Sequence, residues 1–393
     1  MWPFTCLLLA SAPLSFDAAL ARVDETPALV AAQAANAERQ QALGTLSAVT
    51  SNPQVSLQPG FRTLPSQPSG AEGFVVLSQN LNLGGLSSAR QRVARGEVDA
   101  NAVQQQSTRH TLRTAVARAW LQAWAARAAV RAMNDERRIS SELVARLQRA
   151  ASNGSVTRVE VATSRTFDAE VHAQLLEWEG REVDAQAQLA TLLALEALPE
   201  VAEALPVLSQ VEGETPELAR LPAVRLLGLE AELESRRADE VAAQWASQLQ
   251  LSLQFGHEWP GQWVGYAGVG FTLPVFETGQ RERAAHRASR LKLLGEATEK
   301  LRAANIEWLR MRHELEHTEH ALEVVKGEQL PAATEAAQLE QRRYESGEAT
   351  LVELTVLRRQ AIAARVATFI AETNVLEARH RAAQLRQILK ESP

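Results

Sequence analysis

The chain is poor in the residues that hold compact secreted domains together. Its 393 residues include a single cysteine, Cys6, so neither a disulfide framework nor a thiolate zinc site can be built. Aromatics make up 5%, low for a thick globular core but ordinary for long helical assemblies. No run reaches the ~18 apolar residues that a membrane-crossing helix needs. Any crossing would have to be made by strands. There is no basic block either. Against 41 Lys and Arg stand 47 Asp and Glu, a net charge of −6, which gives no footprint for nucleic acid or an anionic membrane. Nor is there a Ser/His/Asp or Cys/His grouping. "GYAGVG" (265–270) has glycine spacing but lies in a strand pattern with no helix at the right place. No enzyme is read here.

The opening "MWPFTCLLLASAP" is apolar and contains Ala10-Ser11-Ala12, a small-x-small cleavage pattern. Residues 1–13 read as a short secretory signal, the alternative being a frayed apolar terminus. Cys6 precedes most of the apolar run, so it is not placed as a lipid-anchor residue.

The chain also repeats itself. "QVSLQPGF" (54–61) aligns with "QLSLQFGH" (250–257), and "RAASNGSVTRVEV" (149–161) with "RRYESGEATLVEL" (342–354). In the second match Gly154 pairs with Gly347, Thr157 with Thr350 and Glu160 with Glu353. Two matches at nearly one offset mark a tandem duplication. The first repeat is 14–197, a linker with Pro and Gly is 198–222, and the second repeat is 223–393. Each repeat predicts a helix (16–46; 223–247), two strands joined by a loop (62–73; 258–265) and a long helix (87–151 in the first). A Gly turn and a returning helix follow (158–196; 351–389). Pro331 interrupts the second long helix, because proline lacks the donor and crowds the preceding turn. Helices this long need a packed seam, which Leu, Val and Ile supply at three- and four-residue spacing. Trp120 and Trp124 are read as part of that seam.

The strands alternate. Leu251, Leu253, Phe255, Val269, Phe271 and Leu273 are set against Ser252, Gln254, Gly268, Gly270 and Thr272. In the first repeat Val55, Leu57 and Phe61 are set against Ser56, Gln58 and Gly60. This is the pattern of a membrane strand, apolar to lipid and polar to a lumen. The alternative is a sheet packed by its apolar face on the protein's own helices. The Gln, Ser, Gly, Thr and Asn of the inner set favour the lumen. Trp259, Trp263 and Tyr266 stand at the hairpin end as an interfacial girdle. Four strands cannot close a barrel, so membrane strands would require oligomerisation.

In this order, "LSQNLNLGG" (77–85), "NGSVTRVEV" (153–161), "FTLPVFETGQR" (271–281), "YESGEATLVEL" (344–354) and the ending "ARHRAAQLRQIL" (378–389) resemble the TolC-like outer-membrane efflux proteins of Gram-negative bacteria. The first is most like the CzcC-like heavy-metal branch. The likeness runs over 14–389, with a shorter leader and shorter loops than the family pattern. It implies a mainly α fold with a small β part: duplicated long-helix hairpins forming an α-barrel, and four strands per protomer of a trimeric twelve-stranded β-barrel. It also implies a homotrimer in outer-membrane lipid, extending into the periplasm. A periplasmic adaptor and an inner-membrane transporter of RND type would hand over its cargo, in a tripartite efflux or type I secretion system. The other function class kept open is a soluble periplasmic coiled-coil scaffold.

The resemblance assigns the two Gly turns, with Gly154, Val156, Gly347 and Ala349, to adaptor contact. It assigns Tyr344 and Glu353 to the periplasmic gate; the family's second gate position is Val356 here. The bland reading of Glu353 is a surface ion pair with Arg358 or Arg342. His313, His317 and His320 share one helix face at i, i+4 and i+7, a spacing that can hold a metal, although most such faces are only solvated. No cofactor is implied.

Overall fold

In the computed structural model residues 12–45, 52–65, 67–208, 216–246, 248–259, 261–273 and 275–391 are described. The signal over 1–13 falls almost wholly outside them, as do 209–215 of the linker. The elements run α1 (Phe16–Arg22), α2 (Pro27–Thr45), β1 (Gln54–Leu64), β2 (Gln67–Asn82), α3 (Leu86–Ser152), α4 (Arg158–Leu193), α5 (Pro222–Gln244), β3 (Gln248–Glu258), β4 (Gln262–Thr272), α6 (Gln280–Val324), α7 (Leu330–Glu345) and α8 (Leu351–Glu391). Helix α3 holds 67 residues without proline, about 100 Å at 1.5 Å per residue.

Three expectations shift. The first helix is not continuous. Val23–Glu25 form a 3-10 turn, Thr26 Oγ1 donates to the Val23 carbonyl at 2.8 Å, and Pro27 opens α2. Proline fits a first helical turn, where no donor is needed. The loops expected at 62–73 and 258–265 both shrink, since β1 runs to Leu64 with β2 restarting at Gln67, and β3 runs to Glu258 with β4 restarting at Gln262. Finally, the break before Pro331 is a widened π turn, Val325–Gln329, leading directly into α7. The wider turn relieves the clash of the proline ring with the carbonyl behind it.

The chain forms two compact units that cut across the sequence repeats. One takes the residues through Val30, Ser107–Leu218 and those from Ala304 onward; the other takes Ala31–Gln106 and Ala219–Ala303.

In the first unit the core gathers Phe16, Ala19, Val23, Val116, Trp120, Leu121, Trp124, Ala185, Leu189 and Val201. Trp120 is fully buried, and its indole N–H donates to the Leu14 carbonyl at 2.8 Å. The Trp124 indole donates to the Glu203 carbonyl at 2.7 Å. Burying each ring with its donor satisfied makes both tryptophans seam residues. Leu14 and Val201 form a parallel bridge, and the two indole bonds to Leu14 and Glu203 lay these residues against α3. His380 is buried beside them, edge-on to Phe16 at 5.4 Å. Burial, helped by the nearby Arg113, holds its pKa down at about 4, so the ring is neutral.

The second unit is one antiparallel sheet in the order β1-β2-β3-β4 with helical segments. Its strand-to-helix junctions are tied down. The Asn82 side chain accepts from the backbone N–H groups of Gly84 (2.8 Å) and Leu86 (3.3 Å), capping α3, while donating to the Ala243 carbonyl at 2.9 Å. Before α6, Gly279 has φ +67, and a Cβ there would meet the Trp245 ring at 2.4 Å. Only glycine meets both demands.

Candidate functional site

The register fixes the sheet's faces. Val55 pairs Leu77, Leu77 pairs Leu253, and Leu253 pairs Ala267; Leu57, Val75, Phe255 and Gly265 form the next row. Directly paired residues share a face. One face therefore collects Val55, Leu57, Phe61, Val75, Leu77, Leu251, Leu253, Phe255, Val269 and Phe271. None of the described residues covers this face: Leu57 is 74% exposed, Leu253 58% and Phe271 65%. Among the described residues, no helix packs on the apolar face of the sheet. Leu273, just past β4, is equally exposed.

The opposite face carries Ser56, Gln58, Ser78, Gln250, Ser252, Gln254, Gly268 and Gly270 in matching rows, with Phe74, Val76 and Val264 among them. Near the hairpin ends Arg62 lies 2.5 Å from Glu72 and 3.9 Å from Glu258. The Tyr266 hydroxyl donates to Glu258 at 3.2 Å. Tyr266 therefore belongs to the polar face, not to an aromatic girdle. The alternation counted back from Val269 already puts it there. Trp259 packs across Gly70, which lies opposite Arg62. Of the three expected girdle aromatics, Trp263 alone stands on the apolar face, stacked on Phe255 at 5.4 Å.

The two helical turns, both in the first unit, are near copies. In one, Gly154 takes φ +74, its N–H donates to the Ala151 carbonyl (3.1 Å), and the N–H of Ser155 donates to Ala150 (3.0 Å). In the other, Gly347 takes φ +80, its N–H donates to Tyr344 (3.1 Å), and the N–H of Glu348 donates to Arg343 (2.8 Å). Each is a Schellman ending, which needs a left-handed residue that glycine supplies without strain. Each return helix then opens with a reciprocal cap. The Glu160 N–H donates to Thr157 Oγ1 at 3.2 Å, and Glu160 Oε2 accepts the Thr157 N–H at 2.7 Å. Glu353 and Thr350 repeat this at 3.3 and 2.8 Å.

The two turns are brought together by a shared cluster of Leu143, Leu147, Leu351 and Leu354 with Val156, Val161 and Tyr344. Burial pushes the Tyr344 phenol pKa up. Outside this cluster, Val159 is 72% exposed and its duplicate Val352 56%. That exposed apolar pair at the turns was not singled out from sequence, although the alignment of the repeats places the two at one offset. Glu353 is exposed and ion-pairs with neither Arg358 nor Arg342. The Thr350 backbone N–H and hydroxyl hold its pKa below the usual carboxylate range. Arg358 is occupied by Glu136, at 2.7 and 3.1 Å.

Along α6, His313 and His317 stack at 6.3 Å, whereas His320 turns away, 3.7 Å from Glu323. The structure thus joins two of the three expected histidines. Among the described residues no helix is long and apolar enough to cross a membrane.

Neither a protein-family model nor a curated protein matches the sequence. Solved structures do match. A membrane protein from Pseudomonas aeruginosa aligns at TM-score 0.79 and 15% identity, over 95% of this chain and 90% of that one. The outer-membrane channel OprN aligns at 0.76 and 16%, over 93% and 89%. The CmeC outer membrane channel of Campylobacter jejuni aligns at 0.76 and 15%, over 95% and 90%. Agreement over nearly the full length of both partners, at identities this low, is agreement of backbone: the chain has the fold of the TolC-like outer-membrane channels.

Proposed function

We propose that this chain is the outer-membrane channel of an export pathway, working as a homotrimer. The observation that carries the reading is the sheet's bare apolar face, combined with two open edges. In β1 and β4 one row of backbone groups has no strand partner among the described residues. Lipid tolerates no open edge. Because neighbouring strands alternate in direction, β4 of one copy can pair antiparallel with β1 of the next. Three copies then close twelve strands, with Leu251, Leu253, Phe255, Val269, Phe271 and Leu273 toward lipid and the Gln, Ser and Gly rows toward water. A soluble scaffold would leave the same face in water, which monomeric soluble proteins avoid.

In this reading the chain is a passive duct. A periplasmic adaptor meets the turns at Gly154, Val156, Gly347 and Ala349, where Val159 and Val352 offer apolar contact. An inner-membrane transporter of RND type supplies the cargo. Tyr344 and Glu353 form the gate: Tyr344 sits in the cluster that joins the hairpins, and Glu353 carries an exposed charge.

The experiment is membrane fractionation followed by planar-bilayer recording of the detergent-extracted protein. The proposal expects outer-membrane recovery and unit conductance steps. Recovery in the soluble fraction, or a protein that never conducts, overturns it.

A further inference from the structure

We infer that His313 and His317 form a chelating site for one late first-row divalent metal ion on the surface of α6. Among the described residues no group of three or more metal-ligating side chains converges, so this is a two-imidazole site whose remaining positions are open to water. The inference does not rest on the channel reading.

Residues at i and i+4 on a helix lie one above the other, and the two rings face each other nearly in parallel, 20° apart with centroids 6.3 Å apart. Small side-chain rotations direct one nitrogen from each ring to a common ion, with metal–nitrogen bonds of about 2.0–2.1 Å. Both side chains are exposed, so an ion reaches them without opening the fold.

The flanking groups leave these donors free. Glu314 is held by Arg381 at 3.1 Å, and Glu316 lies 3.7 Å from Arg312. The carboxylates beside the pair are thus offset by guanidinium groups. His320, the third member of the face, is directed to Glu323. Elsewhere, His286 lies 2.7 Å from Glu234 and His380 is buried. The ring contact of His313 is with His317. Neutral imidazole suits Cu²⁺, Ni²⁺ and Zn²⁺, with Cu²⁺ bound most tightly.

The test titrates Cu²⁺ into the untagged, full-length protein and follows it by electron paramagnetic resonance and calorimetry. One ion per chain should bind first, with hyperfine structure from two nitrogens. His313→Ala and His317→Ala should each weaken that step by roughly a hundredfold, because chelation is lost. His320→Ala should leave it unchanged, and circular dichroism should be the same for all three. An unaltered first step in His317→Ala overturns the assignment. So does an equal loss in His320→Ala.

Discussion

Thr350 and Glu353 hold each other reciprocally: the Glu353 N–H donates to the Thr350 hydroxyl at 3.3 Å, and the Glu353 carboxylate accepts the Thr350 N–H at 2.8 Å. Thr157 and Glu160 do the same in the first repeat. The Thr–Glu match between the repeats is therefore accounted for by helix capping alone. Any gating by Glu353 is a use of charge added to that structural role.

The two roles separate by substitution. Glutamine caps nearly as well as glutamate but carries no charge. Glu353→Gln should leave the fold intact and, if three carboxylates ring the pore, remove cation preference and divalent block in single-channel recordings. Unchanged selectivity and block would leave Glu353 with capping alone. Thr350→Ala should cost about 1 kcal/mol in thermal unfolding. The folded-state pKa of Glu353 is lowered, so its stabilising effect is present above the ordinary carboxylate value of 4.5 and is lost as pH falls through the lower folded value.

Gly347 tests the turn. At φ +80 with no atom near its Cβ position, any other residue meets backbone strain without a clash. Gly347→Ala should cost about 1–2 kcal/mol. Gly347→Val should still assemble in the membrane but stop export. Normal export by the valine variant would remove the turn from the adaptor contact.

Leu253 and Ser252 are adjacent in sequence and opposite in face. An arginine on the lipid face near the membrane centre costs about 2–4 kcal/mol. Leu253→Arg should block assembly in the outer membrane, and Ser252→Arg should be tolerated. Equal assembly of the two variants, scored by heat-resistant oligomers on gels, would refute the orientation.

His380 gives the chain an acid limit. Its pKa is about 4 in the fold against 6.5 ordinarily, so between these values the unfolded chain binds more protons. Stability therefore falls as pH drops from about 6.5 to 4, by about 3 kcal/mol in all, and is insensitive to this group above 6.5. His380→Leu should flatten that part of the curve in chemical denaturation. An unchanged slope would mean that the ring is not desolvated.

Much of this was legible in the sequence, because it is local. Alternation fixed both faces of β3 and β4, and Gly154 and Gly347 marked the reversals by the one residue that takes positive φ freely. Pro331 was rightly a disturbance, but whether a helix breaks or widens at a proline depends on the carbonyls behind it. Tyr266 was misplaced because it was grouped with the nearby tryptophans, not counted by parity. The Thr-x-x-Glu cap was visible as a pattern, yet the resemblance drew attention to the glutamate's charge first. The bridge of Leu14 to Val201 and the indole bond of Trp120 to the Leu14 carbonyl could not be read. They join segments more than a hundred residues apart, and no local periodicity reports them.

The most direct test of the channel proposal is disulfide trapping between strand edges. Cys6 is first replaced, and cysteine pairs are then scanned, one in β1 and one in β4, in cells. A barrel closed by three copies predicts cross-linked species in the outer membrane that rise through dimer and stop at trimer, for pairs at one register. Absence of intermolecular links at every register, or a ladder that continues past trimer, would contradict it.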